Sequence, residues 1–187
     1  MVTKHAAVIG HPIAQSLSPL LHARWLERHK INADYRAIDG QDDDQFRRLI
    51  RTLPDKGYVG MNVTLPFKRL AHDLADEMSD TARTVGAANL LVFRDGKVWA
   101  DNTDVPGFIA ALEAMDLAEI PRSARILGAG GAAPAIIVAL KALGVEHIEV
   151  TNRTASKAME LKDHFDIECI GWAARDINLE GVDLLIN

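Results

Sequence analysis

Residues 60–68, Gly-Met-Asn-Val-Thr-Leu-Pro-Phe-Lys, lead from an apolar strand pattern into a turn that stops on Lys68. A lysine ammonium can give up a proton and its amine can take one back, which a guanidinium does not do in proteins. The carboxylate the sequence offers it as a partner is Asp104. A carboxylate alone would raise the lysine pKa, so burial or the charge of a cofactor must oppose it if the pair is to move protons. Short polar side chains gather near expected strand ends and turns: Ser16, Ser18, Asn62, Thr64, Asn89, Asn102 and Thr103. Hydroxyls both donate and accept hydrogen bonds, so such a set suits a small polyhydroxylated substrate. Each residue also has a plain structural reading: Lys68 as a solvated side chain, Ser18 as a helix cap, the asparagines as turn formers.

Residues 128–133, Gly-Ala-Gly-Gly-Ala-Ala, offer a second chemistry. They have the form G-x-G-x-x-A between an expected strand and an expected helix. Gly128 allows the tight turn, Gly130 lets the backbone approach a pyrophosphate, and Ala133 lets the helix pack closely on the strand. Amides at the helix N-terminus add donors and positive potential. Gly128, Ala129, Gly130, Gly131 and Ala132 are therefore expected cofactor contacts. After the next strand an NAD site usually places Asp or Glu, whereas this chain has Asn152-Arg153-Thr154. A guanidinium pairs bidentately with a 2′-phosphate and can stack on adenine, so the expected cofactor is NADP, with Asn152, Arg153 and Thr154 in its site. A surface arginine that merely follows a strand is the alternative. Nicotinamide chemistry moves a hydride, and interconverting a carbonyl and an alcohol moves one proton besides; that is the task open to Lys68 and Asp104. The seven histidines show no metal-ligand spacing, so no metal is expected.

The elements that must position these residues follow from periodicity and punctuation. We expect a strand over 5–9, then a helix from Ser18 to about Lys30 with Ser18 as N-cap and Pro19 at its first position. A strand over 34–38 follows, then a helix opened by Asp42-Asp43-Asp44 and stopped near Pro54. The strand over 57–64 places Asn62 and Thr64 on one face. Pro66 is expected in the first turn of a helix that carries Lys68 and runs to Leu74. A helix over 80–85 should end at Gly86, and Asp95-Gly96 should join the strands of a hairpin over 88–100. The polar stretch 100–108 leads to a helix ending near Met115. Beyond it we expect strands ending at 127, over 147–151, over 167–170 and over 182–186, with helices over 134–143 and 155–165. The resulting class is α/β with two domains: an N-terminal α/β substrate domain over 1–101 and an incomplete Rossmann-like NADP-binding domain over 102–187.

A chain of 187 residues that is 48% hydrophobic is long enough for one large core or two small ones. Net charge of −5 with scattered Lys and Arg gives no footprint for nucleic acid or anionic lipid. A single cysteine, Cys169, cannot form an intrachain disulfide and fits a reducing compartment, so a cytoplasmic location is expected. The apolar run at 6–9 soon meets His11-Pro12, too early for a signal peptide core or a membrane span.

Taken together, these stretches closely resemble the shikimate dehydrogenase family, and the resemblance covers essentially the whole chain. The family's S-x-S-P segment is found at 16–19, its N-V-T-x-P-x-K segment at 62–68 and its N-T-D-x-x-G segment at 102–107. The resemblance implies reversible reduction of 3-dehydroshikimate to shikimate with NADPH, in aromatic amino-acid biosynthesis. It further implies that Ser16, Ser18, Thr64, Lys68, Asn89 and Asp104 contact the substrate, with Lys68 and Asp104 as the catalytic pair, and it admits a homodimer. Departures occur at Gln15, Ala23, Leu90 and Pro134, where the family often has His, Asn, Thr and Arg. Family members also continue into a loop that receives the nicotinamide and a C-terminal helix carrying a substrate-binding glutamine, so the chain is expected to be truncated. The alternatives are a quinate/shikimate paralogue using NAD or NADP, and a non-catalytic ligand-binding fragment.

Overall fold

The computed structural model describes residues 3–115, 117 and 119–187. They form two compact units, Met1–Asn102 and Thr103–Asn187, each built on its own sheet. In the first unit β1 (Lys4–Gly10), β2 (Ala33–Asp39) and β3 (Tyr58–Val63) run parallel, with β1 between the other two. The intervening helices are α1 (Ser18–Arg28) and α2 (Asp43–Thr52). Asp42 caps α2 by accepting the Gln45 amide, and Asp43 and Asp44 complement the dipole of its first turn, as the acidic run predicts. After β3 come α3 (Lys68–Asp73), the two-residue strand β4 (Glu77–Met78) and α4 (Asp80–Val85). Ser79 caps α4, and Gly86 ends it in the left-handed conformation at φ 67°. The hairpin of β5 (Leu90–Arg94) and β6 (Lys97–Asp101) turns at Asp95-Gly96, giving the sheet order β2-β1-β3-β5-β6-β4. The apolar face of β3 (Met61, Val63) packs with Phe46 and Ile50 of α2 and with Phe67, whose ring stacks on Phe46 at 4.7 Å.

The second unit opens with α5 (Asp104–Glu113) and continues as β7 (Ser123–Leu127), α6 (Ala133–Ala142), β8 (His147–Thr151), α7 (Ala155–Phe165), β9 (Glu168–Cys169) and β10 (Leu184–Ile186). All its strands are parallel, in the order β10-β7-β8-β9. Read as 4-1-2-3, that is one half of a doubly wound nucleotide fold. Strands of a parallel sheet covered by helices are buried on both faces, which explains the run Ala124-Arg125-Ile126 and the dominance of Ile137, Leu140 and Val150 in the core. Among the described residues no helix is long and apolar enough to cross a membrane.

Two local expectations are corrected, and one element had none. Ser18 is the first residue of α1 rather than its cap; Leu17 occupies the cap, and the Ser16 hydroxyl accepts the Ser18 amide at 3.3 Å. Pro66 is not in a helix: the Leu65–Pro66 bond is cis, and the chain makes a turn over 64–67 before α3 starts at Lys68. Proline fixes φ but not the isomer of the bond before it, and the Phe67 amide bonds the Thr64 carbonyl to close that turn. Strand β4 had no sequence signal, being only two residues long and pairing with the distant β6.

Candidate functional site

Parallel strands share a direction, so β1, β2 and β3 all deliver their C-terminal residues to one edge of the first sheet. Ile9 pairs in register with Val63 and with Ile38, so the chain leaves the three strands side by side. Ser16 and Ser18 follow β1, Asp39 and Gly40 close β2, and Thr64 and Lys68 follow β3. The hairpin adds to the same edge, because Asn62 pairs with Leu90 and Leu90 with Asp101. Asn89 thus lies beside the end of β3, where it is buried at 8% exposure and its carbonyl accepts the Val63 amide at 2.8 Å.

The turn carrying Thr64 is held between backbones. Thr64 donates its amide to Ile9, His11 donates to Leu65, and Gly40 donates to Gly10, at 2.9, 3.0 and 3.0 Å. A Cβ on Gly10 would sit 2.4 Å from the Thr64 methyl carbon and 3.0 Å from the Leu65 carbonyl oxygen. One on Gly40 would sit 2.3 Å from the Phe67 ring. Both positions therefore need glycine for close approach. The Lys68 carbonyl accepts the Ala88 amide at 2.8 Å, tying the start of α3 to the segment that leads into Asn89.

Asn62 serves this edge differently from the sequence expectation. Its side-chain carbonyl accepts the Tyr35 hydroxyl at 2.7 Å, and its amide points to the Asn89 carbonyl at 3.5 Å. Tyr35 is itself stacked on His22 at 3.8 Å, and burial pushes its phenol up to about 12. Asn62 is thus a brace under Asn89. Asn102 also braces, donating to the Ala87 carbonyl at 2.9 Å from a fully buried position. At the end of β2, the ring N–H of His11 and the amide of Gln41 hold the Asp39 carboxyl below the usual carboxylate range. Neither Tyr35 nor Gly40 carried a motif signal; both act through residues more than twenty positions away.

In the second unit Asp104 opens α5, so it and Lys68 belong to different units. The glycine turn follows β7. Gly128 has φ 128°, a conformation that favours glycine, and its amide bonds the Thr151 carbonyl at 2.8 Å. Nothing lies within 4 Å of where a Cβ on Gly128 or Gly130 would be, so the space above the turn is open. No side chain caps α6, whose N-terminal amides lie just beyond Ala132. Asn152 secures the arrangement: its side-chain oxygen accepts the Ala129 amide at 3.2 Å while its amide donates to the Thr154 carbonyl at 2.9 Å. Arg153 is exposed at the end of β8 with its guanidinium 5.6 Å from the centre of the Trp172 ring. An open glycine turn, uncapped helix amides and a cation after the second strand fit a phosphorylated dinucleotide.

Residues 8–91 match the family profile described as the shikimate dehydrogenase substrate binding domain. The shikimate dehydrogenase (NADP(+)) of Roseobacter denitrificans is 43% identical over 187 residues, covering 97% of this chain and 67% of that protein. Among solved structures, the shikimate dehydrogenase of Aquifex aeolicus superposes with a TM-score of 0.90 at 32% identity, covering 99% of this chain and 69% of the other. The enzyme of Thermus thermophilus, solved in complex with NADP(H) and shikimate, gives 0.81 at 34% identity, covering 90% and 63%. The chain therefore spans about two thirds of the length of these relatives. Identity at this level along nearly the whole chain, with the match of residues 8–91 to the family profile, shows that the chain belongs to the shikimate dehydrogenase family.

Proposed function

We propose that the protein reversibly reduces 3-dehydroshikimate to shikimate with NADPH, as a cytoplasmic enzyme, using residues 1–101 for the substrate and 102–187 for the dinucleotide. The observation that supports this reading is that three segments leave the first sheet at one edge: the one after β1 with Ser16, the one after β3 with Thr64 and Lys68, and the one before β5 with Asn89. A polyhydroxylated ring acid needs such a set of donors and acceptors. Ser18 at the start of α1 is assigned to the substrate carboxylate and hydroxyls with them. When bound, the nicotinamide supplies the hydride. Lys68 gives its ammonium proton to the oxygen that becomes the hydroxyl in reduction and takes it back in oxidation, so one proton balances each hydride. Asp104 is assigned to a substrate hydroxyl and, by role, to the catalytic pair with Lys68. Gly128, Ala129, Gly130, Gly131 and Ala132 supply backbone for the pyrophosphate, and Asn152, Arg153 and Thr154 select NADP over NAD.

Steady-state assay of the whole protein with NADPH and 3-dehydroshikimate tests the reading. Lys68→Ala should lower kcat by about 100-fold or more, in the range of a lost general acid, with a much smaller change in KM for NADPH. Unchanged turnover would remove Lys68 from the chemistry. Turnover of quinate with an efficiency equal to that of shikimate would replace the substrate assignment.

A further inference from the structure

Successive strands of the second sheet present three loops at one edge: the glycine turn after β7, Arg153 after β8 and, after β9, a segment containing Trp172 and Arg175. Two guanidinium groups gather on one indole there. Arg153 lies 5.6 Å and Arg175 5.0 Å from the centre of the Trp172 ring, both within cation–π range. Arg175 also donates to the Trp172 carbonyl at 3.1 Å, which fixes the guanidinium beside its own ring. Its carboxylate neighbour is Asp176 at 3.7 Å, on the exposed surface, and among the described residues Arg153 has no carboxylate partner.

The segment is not a loose loop. Arg125, 5% exposed in the middle of β7, pairs through Nε with Glu149 of β8 at 2.7 Å and turns its Nη1 to the carbonyls of Arg175 and Ile177 at 3.2 and 2.6 Å. A buried cation thus pins the segment that carries Trp172, and Trp172 restricts Arg153. Restricting a long side chain before binding removes part of the ordering cost that a free surface arginine would incur. Two cations sharing a ring repel one another, and a dianion placed between them relieves that repulsion.

We propose that Trp172 and Arg175 complete the site for the ribose 2′-phosphate of the dinucleotide that Arg153 begins: the indole orients the Arg153 guanidinium, and Arg175 supplies the second cation. The inference rests on the NADP reading above and adds two selectivity residues to it.

The test uses the 187-residue chain and two probes, 2′,5′-ADP and 5′-ADP, measured by titration calorimetry. The wild-type chain should prefer 2′,5′-ADP. Arg175→Ala should weaken 2′,5′-ADP by about tenfold, the scale of a lost charge-assisted hydrogen bond, and leave 5′-ADP unchanged. Trp172→Leu should weaken 2′,5′-ADP by about three- to tenfold, and Trp172→Phe, which keeps a π face, should restore most of it. Retained 5′-ADP binding certifies that each variant is folded. If Arg153→Ala abolishes the preference while Arg175→Ala and Trp172→Leu keep it, the NADP reading stands and this extension is wrong. If the wild-type chain binds both probes equally, the NADP reading fails and the extension with it.

Discussion

At the end of β3 the turn carrying Thr64 and Lys68 is held where two neighbouring residues, Gly10 and Gly40, have no side chain. At the ends of β7, β8 and β9 the loops are instead held by side chains that reach for backbone: Asn152 for the Ala129 amide and Arg125 for the carbonyls beyond Trp172, as Asp183 does for amides at the opposite end of the sheet, where β7 starts. The proposed function gives the difference a reason. An edge that offers side chains to a small substrate can pack its backbones tightly, whereas an edge that offers backbone amides to phosphates needs a turn that stays open, as it is above Gly128 and Gly130. Close packing fails when volume is added; polar bracing fails when a partner is removed.

Removing a partner has the largest expected effect. Arg125→Met leaves Glu149 without its cation in a part-buried position and frees the carbonyls of Arg175 and Ile177. Breaking a buried pair from one side costs roughly 3–5 kcal/mol. Melting of the second unit, followed by circular dichroism, should therefore fall steeply, while Glu149→Gln together with Arg125→Met should recover part of the loss. A double variant no more stable than the single one would show that the carbonyl bonds matter more than the ion pair.

Adding volume separates the two edges more cleanly. Gly10→Ala forces a carbon to within 2.4 Å of Thr64 and against the Leu65 carbonyl, and overpacking of this kind costs about 1–3 kcal/mol. Gly130→Ala meets nothing within 4 Å, so the melting temperature should stay within the scatter of the wild type. The same added methyl occupies the space a pyrophosphate would take, so 5′-ADP affinity should drop while stability does not. A Gly130→Ala chain that melts early, or a Gly10→Ala chain that does not, would reverse the assignment of packing to one edge and openness to the other.

Much of this arrangement was legible in the sequence wherever the cause is local. Helix α4 was ended by Gly86, the hairpin turned by Asp95-Gly96, and the turn after β7 marked by its glycine spacing, because capping and turn chemistry act within four residues. The edge that carries Thr64 and Lys68 was legible as the end of a strand, because β3 runs parallel to β1 as the alternation of strand and helix predicts. What the sequence withheld is non-local. Gly10 and Gly40 carried no motif signal, and only their nearness to Thr64 and Phe67, 54 and 27 positions away, shows what a side chain would do there. Arg125 looked like one more residue of a strand; its burial is fixed by Glu149 and by a segment fifty residues on. Pro66 misled because a proline suits a turn or a helix start equally well, and here the Phe67 amide bonds back to the Thr64 carbonyl and closes a turn.

The smallest expected effect probes the polar bracing by charge alone. The Asp183 carboxylate accepts the amides of Arg122 and Ser123 at 2.9 and 3.0 Å and the Ser123 hydroxyl at 3.1 Å, fastening β10 to the start of β7. The Arg122 and Ser123 amides, with the Ser123 hydroxyl, hold its pKa below the usual carboxylate value. A folded-state pKa below the unfolded one means that the stabilisation is fully present above the unfolded value, about 3.9, and is lost as pH falls through the folded value. Asp183→Asn keeps an accepting oxygen and loses the charge. The variant should thus melt slightly below the wild type at pH 7, by less than Arg125→Met. As pH falls below the unfolded value and on through the lowered folded one, the wild-type carboxyl takes up its proton and the two melting temperatures should converge. A gap that stays constant from pH 7 down to about pH 2.5 would show that shape, and not charge, fastens β10, making that end of the second sheet resemble the packed edge of the first.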